Sequence, residues 1–151
     1  MLKNFMRRIG TQEIKKLLKV NECGFDGVLQ KMQIIEAGDG MCVGEIVVEE
    51  EHTNPKKTLH GGMISTLVDT VTTLALFTHQ NCERVPSVSV DLHITFIKAA
   101  KIGEEIVIHA CTTKAGGTLG FTNCLIKSKK NDDILAFGNH TKYLLRPRKV
   151  K

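Results

Sequence analysis

The sequence predicts an α+β domain in which an antiparallel sheet wraps around one long, buried helix. Three observations carry that expectation. Residues 62–79 place Met63, Ile64, Leu67, Val68, Val71, Leu74 and Ala75 at helical spacing over a length no ordinary strand reaches. Residues 87–96 alternate polar and apolar at every position, as a strand does. Three more β-like segments follow, separated by clusters of turn-forming residues.

Taken in order, the chain starts basic. Before Glu13 its only charged side chains are Lys3, Arg7 and Arg8, while Leu2, Phe5, Met6, Ile9, Ile14, Leu17 and Leu18 recur at roughly helical spacing, so residues 1–18 are expected to form an amphipathic helix. The turn-rich patch Cys23-Gly24-Phe25-Asp26-Gly27 precedes two expected strands, 28–36 and 41–49, and Ala37-Gly38-Asp39-Gly40 between them has hairpin chemistry. Gly38, Gly40 and Gly44 miss the dinucleotide-binding interval by one residue and sit in a turn, so that motif is rejected.

The long helix is rich in Val, Thr and Ile, which lower intrinsic helix propensity. Burial against the sheet must therefore stabilise it. In the next strand Val88, Val90, Leu92, Ile94 and Phe96 are expected on one face, and Ser87, Ser89, Asp91, His93 and Thr95 on the other. Strands at 105–113, 119–127 and 134–144 follow, joined by Lys114-Ala115-Gly116-Gly117 and by residues 128–133. Residues 1–24 thus read as a helix and linker, 25–145 as the domain, and 146–151 as a loose basic tail. The sheet face turned away from the helix is available to a second subunit.

With 151 residues, 42% hydrophobic and 25% charged, the chain has the proportions of one globular domain, and its apolar runs fall short of the roughly 20 residues of a membrane span. Its five cysteines, Cys23, Cys42, Cys82, Cys111 and Cys124, form no C-x-x-C pair and are expected to remain reduced thiols. The net charge of +5 suits an anionic partner, but no Trp and one Tyr leave few stacking platforms for nucleic acid. A basic, acid-poor start also resembles a mitochondrial transit peptide, so both cytoplasm and mitochondrion stay open.

The chemistry-bearing stretch runs Glu51-His52-Thr53-Asn54-Pro55-Lys56-Lys57-Thr58-Leu59-His60-Gly61-Gly62. Two glycines opening a buried helix let a ligand approach the backbone, and free N–H groups there can stabilise a developing oxyanion. Asp69, two turns into the helix on the flank of Ser65, Thr72 and Thr73, is a candidate base or nucleophile. Read singly, these are a helix start and a solvated carboxylate. His52 and His60 lack partners at a metal-site spacing, and there is no G-x-S-x-G elbow.

Together, His52-Thr53-Asn54, Leu59-His60-Gly61-Gly62, Thr66-Leu67-Val68-Asp69, Val88-Ser89-Val90-Asp91 with Ile94-Thr95, and Gly138-Asn139-His140-Thr141-Lys142 resemble the hotdog-fold acyl-CoA thioesterases. The similarity covers residues 28–144 and points to the animal thioesterase-superfamily branch and its bacterial phenylacetyl-CoA relatives. It implies a helix wrapped by an antiparallel sheet, homodimers with shared active sites that pair into tetramers, and hydrolysis of fatty acyl-CoA of medium to long chain. It implies no metal and no separate cofactor, coenzyme A being part of the substrate.

By the same resemblance, Gly61 donates its N–H to the thioester oxygen and Asn54 helps polarise it. His60 lies beside the departing thiol, Asp69 activates or delivers the attack, and Ser89 helps place water. Coenzyme A is expected along Phe96, Ile97, Lys98, Ala99, Ala100 and Lys101, and along the turn Lys114, Ala115, Gly116, Gly117, Thr118 and Leu119, with Glu50 and Tyr143 adding contacts. Residues of the central helix such as Leu76 are expected to line the acyl pocket. Pro55-Lys56-Lys57 and the long 80–86 connection depart from the family pattern near the cleft, and Tyr143 stands where a histidine is usual. The non-enzymatic alternative is an acyl-CoA-binding or partner-regulating module. An enoyl-CoA hydratase is disfavoured because Thr70, not histidine, follows Asp69.

Overall fold

The computed structural model describes residues 9–20, 24–82 and 84–146, so the first half of the expected N-terminal helix and all of the tail after Arg146 lie outside the described residues. Helix α1 spans Thr11–Val20, strands β1 and β2 span Gln33–Gly38 and Met41–Val47, and helix α2 spans Gly61–Thr78. Strands β3 (Ser87–Phe96), β4 (Glu105–Ala115), β5 (Leu119–Ser128) and β6 (Ile134–Leu144) complete one antiparallel sheet in the order β1-β2-β4-β5-β6-β3.

The sheet curls around α2, which buries Leu67, Val68, Val71 and Ala75 completely against Ile106, Ile108 and Ile126. This is the hotdog arrangement that the family resemblance implies. By length and composition α2 would qualify as a membrane span, yet most of it is buried inside the fold, as the core helix of such a domain must be. Its close approach to the sheet depends on glycine at two points. A Cβ on Gly138 would stand 2.7 Å from Val68 Cγ1, and one on Gly120 would stand 2.9 Å from Leu76 Cδ1.

Residues Gly24–Leu29 form a 3₁₀ turn where a strand start was expected. Gly24 adopts φ +73 and the bonds Gln30 N–H to Gly27 O and Met32 N–H to Leu29 O prolong the turn, so β1 begins at Gln33. Helix α1 shields the outer edge of β1. The Thr11 hydroxyl accepts from Ala37 N (3.0 Å) and lies 3.3 Å from Ala37 O, while Ile14 is fully buried.

The largest departure from the sequence reading is in β3. This strand pairs only with β6, so its other edge is open. The expected apolar face is not buried: Val88, Val90, Leu92 and Phe96 are exposed, and only Ile94 packs on the core. The register shifts between Ser89 and Asp91, with Val90 as the extra residue. That bulge reverses the alternation, so Ser89 joins Ile94 on the helix side instead of facing away from it.

Candidate functional site

Where α2, β3 and β6 meet, Asp69, Ser89, His140 and Lys142 converge. Lys142 is a buried cation, its side chain only 6% exposed, and it donates to Asp69 Oδ1 (3.3 Å), Thr73 Oγ1 (2.7 Å) and Ser89 Oγ (3.5 Å). Asp69 is 48% exposed and opens to the outside. A buried ammonium needs hydrogen-bond partners and a counter-charge, and the cluster supplies both.

The buried His140 ring links the same groups. Its Nδ1 lies 2.7 Å from Thr72 Oγ1 and its Nε2 lies 3.0 Å from Ser89 Oγ. Thr72 donates its own hydroxyl to Val68 O, so its oxygen accepts from His140 Nδ1–H, and Nε2 accepts from the Ser89 hydroxyl. Burial, reinforced by the Lys142 charge, pushes His140 down to about 4 against the opposing pull of Asp69 and Asp91. The ring is neutral near pH 7 and orients Ser89 instead of carrying charge.

His140 and Lys142 stand in the motif Gly138-Asn139-His140-Thr141-Lys142, to which the family resemblance attaches no role for either. The signal was in the alternation of β6, where Ala136, Gly138, His140, Lys142 and Leu144 share the buried face. Two polar residues inside such a row demand partners.

The second cluster lies at the start of α2. His60 caps the helix: its Nδ1 accepts from Gly62 N (2.8 Å), which leaves the neutral ring with its proton on the exposed Nε2. The Gly61 N–H donates to no group among the described residues, and a Cβ there would touch the Phe96 ring at 3.5 Å. Asn54 organises its own loop, its Oδ1 accepting from Lys56 N (2.9 Å) and its Nδ2 donating to Thr58 Oγ1 (2.9 Å), so one amide proton remains for a ligand. His52 is structural. It is buried, its Nδ1 accepts from Glu49 N (3.0 Å), and its Nε2 donates to Val28 O (3.1 Å).

The expected coenzyme A segments also separate. Lys98 is paired with Asp133 and Glu50 with Lys57 (2.6 Å), whereas the exposed Lys101 and Lys114 side chains form no ion pair among the described residues. Ala99, Ile97, Gly117 and Thr118 are exposed, Gly116 and Leu119 half-buried, and Ala100 and Ala115 buried. Tyr143 is exposed on the outer face of β6, opposite Leu119. Leu76 does not line the cleft, because it is fully buried against Gly120 and Leu144 on the sheet side. Arg146, expected in a loose tail, instead donates to Gly116 O (3.3 Å) and Asn81 O, tying the turn after β4 to the end of α2.

Within one chain the two clusters cannot act on one carbonyl. Gly61 and Asp69 are eight residues apart on one helix, about 12 Å. Gly61 abuts Phe96 at one end of β3, while Asp69 lies by Ser89 at the other end. The segments expected to meet coenzyme A divide the same way. Residues 96–101 follow the Phe96 end, and residues 114–119 lie near the Val88 end, where Tyr143 pairs with both Val88 and Leu119.

The family model described as "Thioesterase superfamily" matches residues 56–135. Acyl-coenzyme A thioesterase 13 of Mus musculus is 43% identical over 136 residues, 89% of this chain and 96% of the relative. The crystal structure of zebrafish thioesterase superfamily member 2 matches with a TM-score of 0.86 and 42% identity, over 90% of this chain and 99% of that one. A thioesterase protein from Streptococcus pneumoniae, solved with coenzyme A, shares the fold at a TM-score of 0.71 and 20% identity, over 78% of this chain and 88% of that one. A family match over more than half of the chain, together with 43% identity along nearly all of it, shows that the chain belongs to the thioesterase superfamily.

Proposed function

We propose that the protein hydrolyses fatty acyl-CoA of medium to long chain to free acid and coenzyme A, at active sites each built by two subunits. The observation that carries this reading is the placement of complementary half-sites at opposite ends of one open strand. Antiparallel pairing of two β3 edges about a twofold axis brings the Gly61–Phe96 end of one copy to the Asp69–Ser89 end of the other. It also joins residues 96–101 of one copy to residues 114–119 of its partner. An edge that exposes Val88, Val90, Leu92 and Phe96 without lysine or proline is a template for such pairing.

In the composite site the Gly61 N–H and the spare Asn54 amide proton polarise the thioester oxygen, held ready for the oxyanion that forms on attack. Asp69 of the other copy removes a proton from water, which Ser89 helps place, and that water attacks the acyl carbon. Collapse of the oxyanion expels the coenzyme A thiolate beside His60 Nε2–H. Thiolates are good leaving groups, so strong acid assistance is not needed. Lys101 and Lys114, which form no ion pair among the described residues, meet the coenzyme A phosphates.

Phe121, Phe137 and Tyr143, all exposed on the sheet's outer face, support back-to-back pairing of dimers into a tetramer. The unpaired thiols of Cys42, Cys82, Cys111 and Cys124 suit a reducing compartment, cytoplasmic or mitochondrial.

The direct test is thiol release from acyl-CoAs ranging from acetyl to palmitoyl, with phenylacetyl-CoA included, by wild type and Asp69→Ala in parallel. Turnover that falls by about 10²- to 10⁴-fold in the variant is the expected result. Acyl-CoA binding with no turnover by wild type would instead identify a non-catalytic module.

A further inference from the structure

An acyl-CoA substrate needs a berth for its tail, and Leu76 does not provide one. The exposed side of α2 does. Asp69, Thr73 and Phe77 recur every fourth residue, and Thr70 and Leu74 run beside them, so these five form one stripe along the helix. Facing the stripe are Leu17 and Leu18 of α1, and the space between the helices is a groove of about 360 Å³. Leu17 is 39% exposed although it belongs to an amphipathic helix whose Ile14 is fully buried.

We infer that this groove holds the fatty acyl chain and that α1, as its roof, sets the chain-length preference. The inference rests on the acyl-CoA reading above and adds the location and roof of the tail. Polarity along the groove matches a thioester followed by an alkyl chain. It begins at Asp69, where the reacting carbonyl must lie, passes the Thr70 and Thr73 hydroxyls, and becomes apolar at Leu74 and Phe77 under Leu17 and Leu18, with the exposed Asp26 as its one other charged lining residue. From Asp69 to Phe77 the stripe runs about 12 Å. At Leu18, Asp26 and Thr70 the groove meets a second cavity of about 470 Å³ along α1, where Leu29, Met32 and Ile34 lie among Gln12, Lys15, Lys16, Lys19, Gln30 and Gln33, so the apolar part of the tail's path ends with the first groove. Each is the size of an ordinary small-molecule site. Continuity with Asp69 selects the occupant: a tail attached to the carbon under attack has this apolar space beside it.

Two measurements test the inference. In the first, a coenzyme A thioether carrying a dodecyl chain tipped with a diazirine is photolysed on the full-length protein, and adducts are mapped by mass spectrometry. Adducts on α1 at Leu17 or Leu18, or on Phe77, are expected, and adducts confined to other elements would overturn the inference. This readout does not require turnover, so it stands even if wild type hydrolyses nothing.

In the second, Leu17→Trp fills the groove and Leu17→Asp charges it, and the ratio of kcat/KM for palmitoyl-CoA to that for butyryl-CoA is compared with wild type. Each buried methylene is worth about fourfold in kcat/KM, so loss of only two or three lowers the ratio by roughly tenfold or more. The ratio does not depend on the fraction of protein folded. An unchanged ratio in both variants would show that α1 does not contact the tail. Absence of thiol release by wild type would count against the proposed hydrolysis alone, and the crosslinks would then decide the groove.

Discussion

Lys142 Nζ lies 3.3 Å from Asp69 Oδ1, and of the two side chains the cation is buried and the carboxylate half exposed. The lysine therefore fixes the orientation of Asp69 from behind and leaves the outer carboxylate oxygen to water. In the proposed mechanism it is therefore a positioning residue, holding Asp69, Thr73 and Ser89 while itself buried.

Lys142→Met keeps the length of the side chain and removes the charge. We expect kcat to fall by about ten- to a hundredfold with little change in KM, because the carboxylate loses its fixed geometry but acyl-CoA contacts remain. Steady-state kinetics on one acyl-CoA checks this, and a change confined to KM would contradict it. Asp69→Ala, in turn, strands the ammonium. Because Asp69 is half exposed, the cost is discounted to about 1–2 kcal/mol, read as a thermal midpoint a few degrees lower.

His140 gives the fold an acid limit. Its protonation is pushed down to about 4 in the folded protein by burial and by Lys142, whereas the unfolded chain titrates near the ordinary value of 6.5. Between those values the unfolded state binds the extra proton, so this contribution to stability is complete above about 6.5 and is lost as pH falls toward 4. Thermal midpoints measured across that window should fall more steeply with acid for wild type than for His140→Gln. Parallel curves would show that another group sets the acid limit.

Gly138→Ala tests the contact between helix and sheet. The added methyl would stand 2.7 Å from Val68 Cγ1, so either the helix or β6 must move, at a cost of about 1–3 kcal/mol. Val68→Ala in the same chain opens the space, and the double variant should regain part of the loss in denaturant titrations. Additive losses would mean that the strain is relieved elsewhere.

The fold was legible wherever local pattern and burial agree. Helix α2 showed its period between Gly61 and His79, and β4, β5 and β6 showed theirs between turn-rich connections. The parts that were not legible depend on pairing. One bulged residue, Val90, reverses which side of β3 faces the helix, and an alternating sequence looks the same with or without it. The exposure of β3 is likewise a property of its edge position, which composition does not reveal. At the site, Gly61, His60 and Asp69 stood out because a helix start and a carboxylate have chemistry of their own. Lys142 and His140 acquire meaning only when β6 is laid across α2 and the row containing Gly138 is seen to face inward.

The claim that joins these findings is that each active site takes its Gly61 end from one subunit and its Asp69 end from the other. Asp69→Ala removes the proposed base, and Gly61→Pro removes the amide proton. Proline suits that first helical position, because His60 before it has ψ 138 and a Cβ at Gly61 meets nothing closer than 3.5 Å. Each variant alone should be nearly inactive. Unfolded together and refolded as a mixture, they should recover roughly a quarter of wild-type activity, since half of the random dimers carry one intact site and one doubly defective site. A mixture no more active than its components would place both halves of the site within one chain and contradict the account.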